Sequence, residues 1–141
     1  MPDSAVTVAE LKEALRRFVA ERGWEQFHSP KNLAMGLAVE TAELLEHFQW
    51  LSEEASRQLA ADPAKRPAIA EEVADVACYL LALANVMGLE LGETILAKLE
   101  KNRRKYPAER FQGVYERPPK APAERPLGPR PADLEAAGGE R

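Results

Sequence analysis

Leu37-Ala38-Val39-Glu40-Thr41-Ala42-Glu43-Leu44-Leu45-Glu46-His47-Phe48 decides how this chain is read. At about 100° per residue, Leu37, Leu44 and Phe48 share one stripe with Leu33. That is helical spacing, not strand alternation. Glu40 falls at the edge of the stripe, between Leu37 and Leu44, and Glu43 is its neighbour one turn on. A carboxylate on an apolar seam costs on the order of several kcal/mol unless it is protonated, paired or bound to a metal.

The pattern recurs further along. Ile69, Val76, Leu80, Leu83 and Met87 form the stripe of another long helix, with Glu72 within it and Asp75 one turn on. No Lys or Arg lies on either seam to neutralise these charges. Hard divalent cations take oxygen ligands, and Mg²⁺ in particular is held by a few carboxylates plus substrate phosphates. Glu40, Glu43, Glu72 and Asp75 are therefore the candidate metal ligands, with Mg²⁺ between two facing helices. The competing reading makes them solvated surface acids, as Glu46, Glu53, Glu54 and Glu71 are taken to be.

Working outward, Thr7-Val8-Ala9-Glu10 is a capping box. It opens a first helix carrying Val8, Leu11, Leu15, Phe18 and Val19, which Gly23 closes. A loop from Trp24 to His28 leads to Ser29-Pro30, a helix start. The second helix is expected over 30–50, and Ser52-Glu53-Glu54 caps a short connector. The third is expected over 67–87, stopping at Gly88, and the fourth over 91–105, ended by Pro107. No segment alternates with strand period. The expected fold is all-α with a four-helix bundle-type core. Residues 1–112 form the domain. Residues 113–141 hold six prolines and almost no large apolar residues, and are read as a disordered tail.

A chain of 141 residues supports one core. A net charge of -4 excludes the basic surface that a nucleic-acid polymer requires. The lone cysteine, Cys78, excludes an intrachain disulfide and is read as a small core residue. The start of the chain lacks the features of a signal peptide. The longest apolar run, Val76 to Ala84, falls far short of the ~20 residues that span a bilayer. The expectation is a soluble, cytoplasmic protein without a membrane partner.

Glu40-x-x-Glu43, a gap of 28 residues, then Glu72-x-x-Asp75 resembles the signature of the MazG-like nucleotide pyrophosphohydrolases. Three stretches resemble the dCTP pyrophosphatase branch of that family: Trp24-Glu25-Gln26-Phe27-His28, then Glu40 through Phe48-Gln49-Trp50, then Asn102-Arg103-Arg104-Lys105-Tyr106-Pro107. The resemblance covers roughly residues 8–107. It implies an all-α NTP pyrophosphohydrolase fold, with cleavage of a nucleoside triphosphate to the monophosphate and pyrophosphate. It implies a homotetramer, a dimer of dimers, with sites at subunit contacts. The four acids would hold Mg²⁺. Trp24, Phe27, His28, Trp50 and Tyr79 would contact the nucleotide, with Asn102 and Tyr106 closing the site. The branch's vertebrate members carry histidine where this chain has Leu15, which weakens the transfer of their cytosine preference; the resemblance implies dCTP or a related or modified deoxynucleoside triphosphate as substrate, in nucleotide pool control.

The residues allow the same roles on their own chemistry. Trp24 and Trp50, the only tryptophans, each adjoin a helix end, and a base stacks on an aromatic ring for ~1–3 kcal/mol. The alternative for each is a core aromatic. Lys98, Asn102 and Lys105 share a face of the fourth helix, suited to phosphate or simply to solvent. His28 is a candidate donor to base or phosphate, and His47 is read as structural. Glu43 is the candidate general base for the attacking water. A di-iron carboxylate bundle would need E-x-x-H on two helices; only Glu25-x-x-His28 fits, and it lies in a loop. The remaining alternatives are a non-catalytic helical interaction module, or a related enzyme acting on dUTP or phosphoribosyl-ATP.

Overall fold

The computed structural model describes residues 2–115, and every element of regular structure in it is helical. The main helices are α1 (Val8–Ala20), α2 (Pro30–Glu46), α3 (Glu53–Gln58), α4 (Arg66–Val86), α5 (Leu91–Lys105) and α6 (Ala108–Phe111). Short 3-10 turns cover Asp3–Ala5, Trp24–Phe27 and Leu59–Ala61. Residues 116–141, most of the expected tail, lie outside the described residues.

The helix starts follow side-chain chemistry. Thr7 Oγ1 accepts from the Glu10 N–H at 3.2 Å, and Glu10 Oε2 accepts from the Thr7 N–H at 2.7 Å. Ser29 and Ser52 cap α2 and α3 in the same sense, each accepting the N–H three residues on. Gly23 and Gly88 close α1 and α4 at φ +62°, a conformation that a Cβ disfavours. Two expectations shift. The loop after Gly23 is a 3-10 turn. Helix α2 stops at Glu46 rather than Trp50, because the next turns tighten: Phe48 N–H donates to Leu45 O and Leu51 N–H to Phe48 O, three residues back.

Residues up to Asn102 form one compact unit. Its main packing sets α2 against α4, with α1 lying on α4. Asn85 Nδ2 donates to Lys12 O at 2.9 Å, and Lys12 Nζ donates to Leu89 O at 2.7 Å, which fastens α1 to the α4–α5 turn. The single-chain core is small: Leu33, Leu59, Ala82 and Ala84 are the buried apolar residues among those described. Of the expected stripes, Leu37, Leu44, Phe48, Ile69, Val76 and Leu83 are half-buried, and Leu80 and Met87 are exposed. Cys78, read as a core residue, is exposed as well. On α5, Ile95 and Leu99 are exposed and Leu96 is 67% exposed. Among the described residues no single helix is long and apolar enough to cross a membrane. The second unit begins at Arg103; within it, Tyr106 packs edge-on against Phe111 at 5.4 Å.

Candidate functional site

The α2–α4 pairing brings acids together. Glu40 and Glu43 come from consecutive turns of α2 and Glu72 from α4. Each offers an oxygen, and the three oxygens lie within 4.8 Å of one another. Asp75 stands outside that triad, one turn along α4 from Glu72. Among the described residues no ion pair engages any of the four. Glu72 Oε2 is buried without a hydrogen-bond partner. A buried carboxylate oxygen left unpaired is costly and calls for an explanation.

The acids act on one another. The carboxyl of half-buried Glu40 is pushed above its ordinary range, first by burial and then by the charges of Glu43, Asp75 and Glu72. A divalent cation relieves all of this at once, and the donor set is right for a hard one. Three carboxylate oxygens within 4.8 Å of one another, one of them buried without a hydrogen-bond partner, make a set that such a cation would satisfy.

A cavity of about 400 Å³ opens beside the acids. Glu40 and Asp75 line one part of it. The remaining wall is mostly apolar: Leu15, Phe18 and Val19 from α1, Trp24 and His28 around the 3-10 turn, and Cys78, Tyr79 and Ala82 from α4. A smaller recess of about 190 Å³ adjoins it and shares Leu15, Val19, His28 and Ala82. Phe18 and Trp24 meet edge-to-face at 5.8 Å. The Arg22 guanidinium lies 3.6 Å over the Phe18 ring and donates to Phe18 O at 2.8 Å, so it braces this wall from outside. The Cys78 thiol is pushed up by partial burial and then by the Asp75 charge.

His28 Nδ1 lies 2.7 Å from Trp24 O. A carbonyl only accepts, so Nδ1 carries the proton. The neutral ring then presents Nε2 as an acceptor, and only the imidazolium presents a donor there. This refines the donor role expected of His28.

Of the residues singled out in sequence, the structure gathers Glu40, Asp75, Trp24, His28 and Tyr79 around the cavity, with Glu43 and Glu72 completing the acid cluster. Others stand apart in the single chain. Trp50 is 87% exposed in the turn after α2, and Phe27 is also exposed, with its carbonyl accepting from Asn32 Nδ2. Lys98 lies on α5 beside Thr94 and Lys101 in a separate depression. Asn102 is half-buried near the end of α5, and Tyr106 belongs to the second unit. The sequence reading missed Phe18, Val19 and Cys78 as parts of the site, and Arg22 as the residue that braces it. The available signal was the α1 stripe, which runs into the turn that carries Trp24.

This is an all-α protein with an acid cluster at one part of an aromatic cavity. The chain belongs to the MazG-like family, whose model matches residues 36–117. It is 40% identical over 110 residues to dCTP pyrophosphatase 1 of Bos taurus, covering 78% of this chain and 65% of that protein. It is 41% identical over 102 residues to dCTP pyrophosphatase 1 of Homo sapiens, covering 72% of this chain and 60% of that one. The chain thus spans less than two thirds of these curated relatives. A solved pyrophosphatase from Archaeoglobus fulgidus DSM 4304 superposes with a TM-score of 0.66 at 43% identity, covering 70% of this chain and 91% of its own.

Proposed function

We propose that this chain is a Mg²⁺-dependent nucleoside triphosphate pyrophosphohydrolase, acting on dCTP or a related or modified deoxynucleotide. The observation that carries this reading is the unpaired triad of Glu40, Glu43 and Glu72 beside an aromatic cavity. The dCTP pyrophosphatases and the archaeal pyrophosphatase among its relatives support the reaction class.

Glu40, Glu43, Glu72 and Asp75 would hold Mg²⁺, which when bound neutralises triphosphate charge and polarises water. Glu43, the exposed member of the triad, accepts the proton of the attacking water at a carboxylate oxygen. That water adds to the α-phosphorus, the bond to the bridging oxygen breaks, and pyrophosphate departs. Trp24 and Tyr79 flank the base, and His28 accepts a hydrogen bond from it at Nε2.

A panel of NTPs and dNTPs with Mg²⁺ tests this reading, with products resolved by chromatography. Nucleoside monophosphate and pyrophosphate are expected. Orthophosphate as the first product would refute the assignment.

We further propose a homo-oligomer, a tetramer built as a dimer of dimers. Leu96, Leu99, Ile95 and Met87 leave more apolar surface uncovered than a solitary chain of this size carries comfortably. A second copy would also cover Trp50. Light scattering at micromolar concentration should return a multiple of the 15.6 kDa chain mass. A monomer would overturn the proposal.

A further inference from the structure

The Tyr79 ring, which lines the cavity from α4, has the backbone of α2 behind it at Gly36. A Cβ at position 36 would meet the ring: Cδ1 and Cζ at 2.8 Å, and Cε1 closer still. Real Cβ atoms do not approach carbon so closely. The obstacle is the body of an aromatic ring, not the far end of a flexible chain. No turn requires glycine here, because Gly36 sits inside α2 with ordinary helical backbone. A glycine within a helix costs stability relative to alanine, so its presence calls for a packing reason.

We propose that Gly36 is a positioning residue that sets the depth of the cavity through Tyr79. The missing side chain lets the ring lie back against α2. Any larger residue drives the ring forward, into the space beside Glu40 and Asp75. The position thus governs how large a base fits, and this specificity role rests on the nucleotide reading above. It is independent of the metal, because neither Gly36 nor Tyr79 belongs to the acid cluster.

Gly36→Ala tests it. In an ordinary helix interior this change raises stability. Here the melting temperature should fall, by roughly 4–8 °C for a domain of this size at fixed protein concentration. In a Tyr79→Ala background the sign should reverse, because the obstacle is gone. On turnover, Gly36→Ala should raise KM about tenfold or more for the best nucleotide, and further for nucleotides with a larger base. The kcat should stay within about threefold, and the Mg²⁺-induced rise in melting temperature should match the parent's. A Gly36→Ala protein that is more stable than the parent and has an unchanged KM would overturn the proposal. So would an equal fall in melting temperature in both backgrounds, which would place the effect outside Tyr79. Should Tyr79→Ala fail to fold, the direction of the Gly36→Ala shift and the split between KM and kcat still decide. If the parent releases no pyrophosphate from any nucleotide, the functional reading falls, while the stability comparison still judges the Gly36–Tyr79 seat by itself.

Discussion

Glu72→Gln should lose at least about a hundredfold in turnover while folding, without metal, as firmly as the parent or more so. Glutamine keeps the length and shape of the side chain, so the α2–α4 packing survives. It removes one negative charge from a cluster in which Glu40 is held above its usual protonation range by burial and by Glu43, Asp75 and Glu72. It also replaces part of a buried carboxylate that has no hydrogen-bond partner with an amide that can donate to its acidic neighbours. Both changes favour the metal-free fold. Catalysis suffers because a cation ligand is lost, and removing one preorganised electrostatic group typically costs ~10²–10³ in kcat. Glu54→Gln is the matched control. Glu54 lies on exposed α3, 3.8 Å from Arg57 and bonded to Gln58 Nε2 at 3.4 Å. Such surface pairs contribute ~0–1 kcal/mol, so turnover and stability should both hold. Thermal melts in chelator and steady-state rates at saturating Mg²⁺ measure the pair. Near-parent turnover in Glu72→Gln would reduce the acids to surface charge, and a helical interaction module would become the better reading.

What could be read from the sequence was what is encoded locally. Thr7 with Glu10, Ser29 with Pro30, and Gly88 each mark a helix end by chemistry within a few residues, and the structure uses them that way. The two E-x-x-[E/D] pairs were legible because helical period puts them on seams where an acid is expensive. Periodicity identifies a face but not its partner. The contact of Tyr79 with Gly36 depends on how α2 and α4 align, which neither stripe states. The α1 wall of the cavity is unmarked in sequence for the same reason: Leu15, Phe18 and Val19 look alike whether they meet a helix or a ligand. Cys78 was placed in the core because its neighbours are apolar, yet in one chain that face of α4 is open. The exposed stripe of α5 and Trp50 share that origin, since no surface among the described residues covers them.

Chelation should abolish turnover, and returning Mg²⁺ should restore it. The same cation should raise the melting temperature, increasingly so as pH rises. A raised pKa in the fold means that folded Glu40 holds its proton more tightly than unfolded Glu40 does. The stability this brings is fully present below the ordinary value of 4.5 and is lost as pH climbs through the higher folded value. Above that window the metal-free protein carries the full repulsion of Glu40, Glu43, Glu72 and Asp75. The Mg²⁺ ligands must be deprotonated, so binding strengthens over the range in which the metal-free fold weakens. At a hundredfold excess over Kd, a ligand confined to the folded state contributes about 2.7 kcal/mol. For a domain of about 100 residues that is a rise of roughly 10 °C or more. Melts in chelator and in Mg²⁺, from about pH 4 to about pH 8, should therefore diverge once pH passes the ordinary 4.5, the chelator curve falling and the Mg²⁺ curve staying nearly level. Superimposable curves, with turnover that survives chelation, would remove the cation from the site and with it the reason for placing these acids on apolar seams.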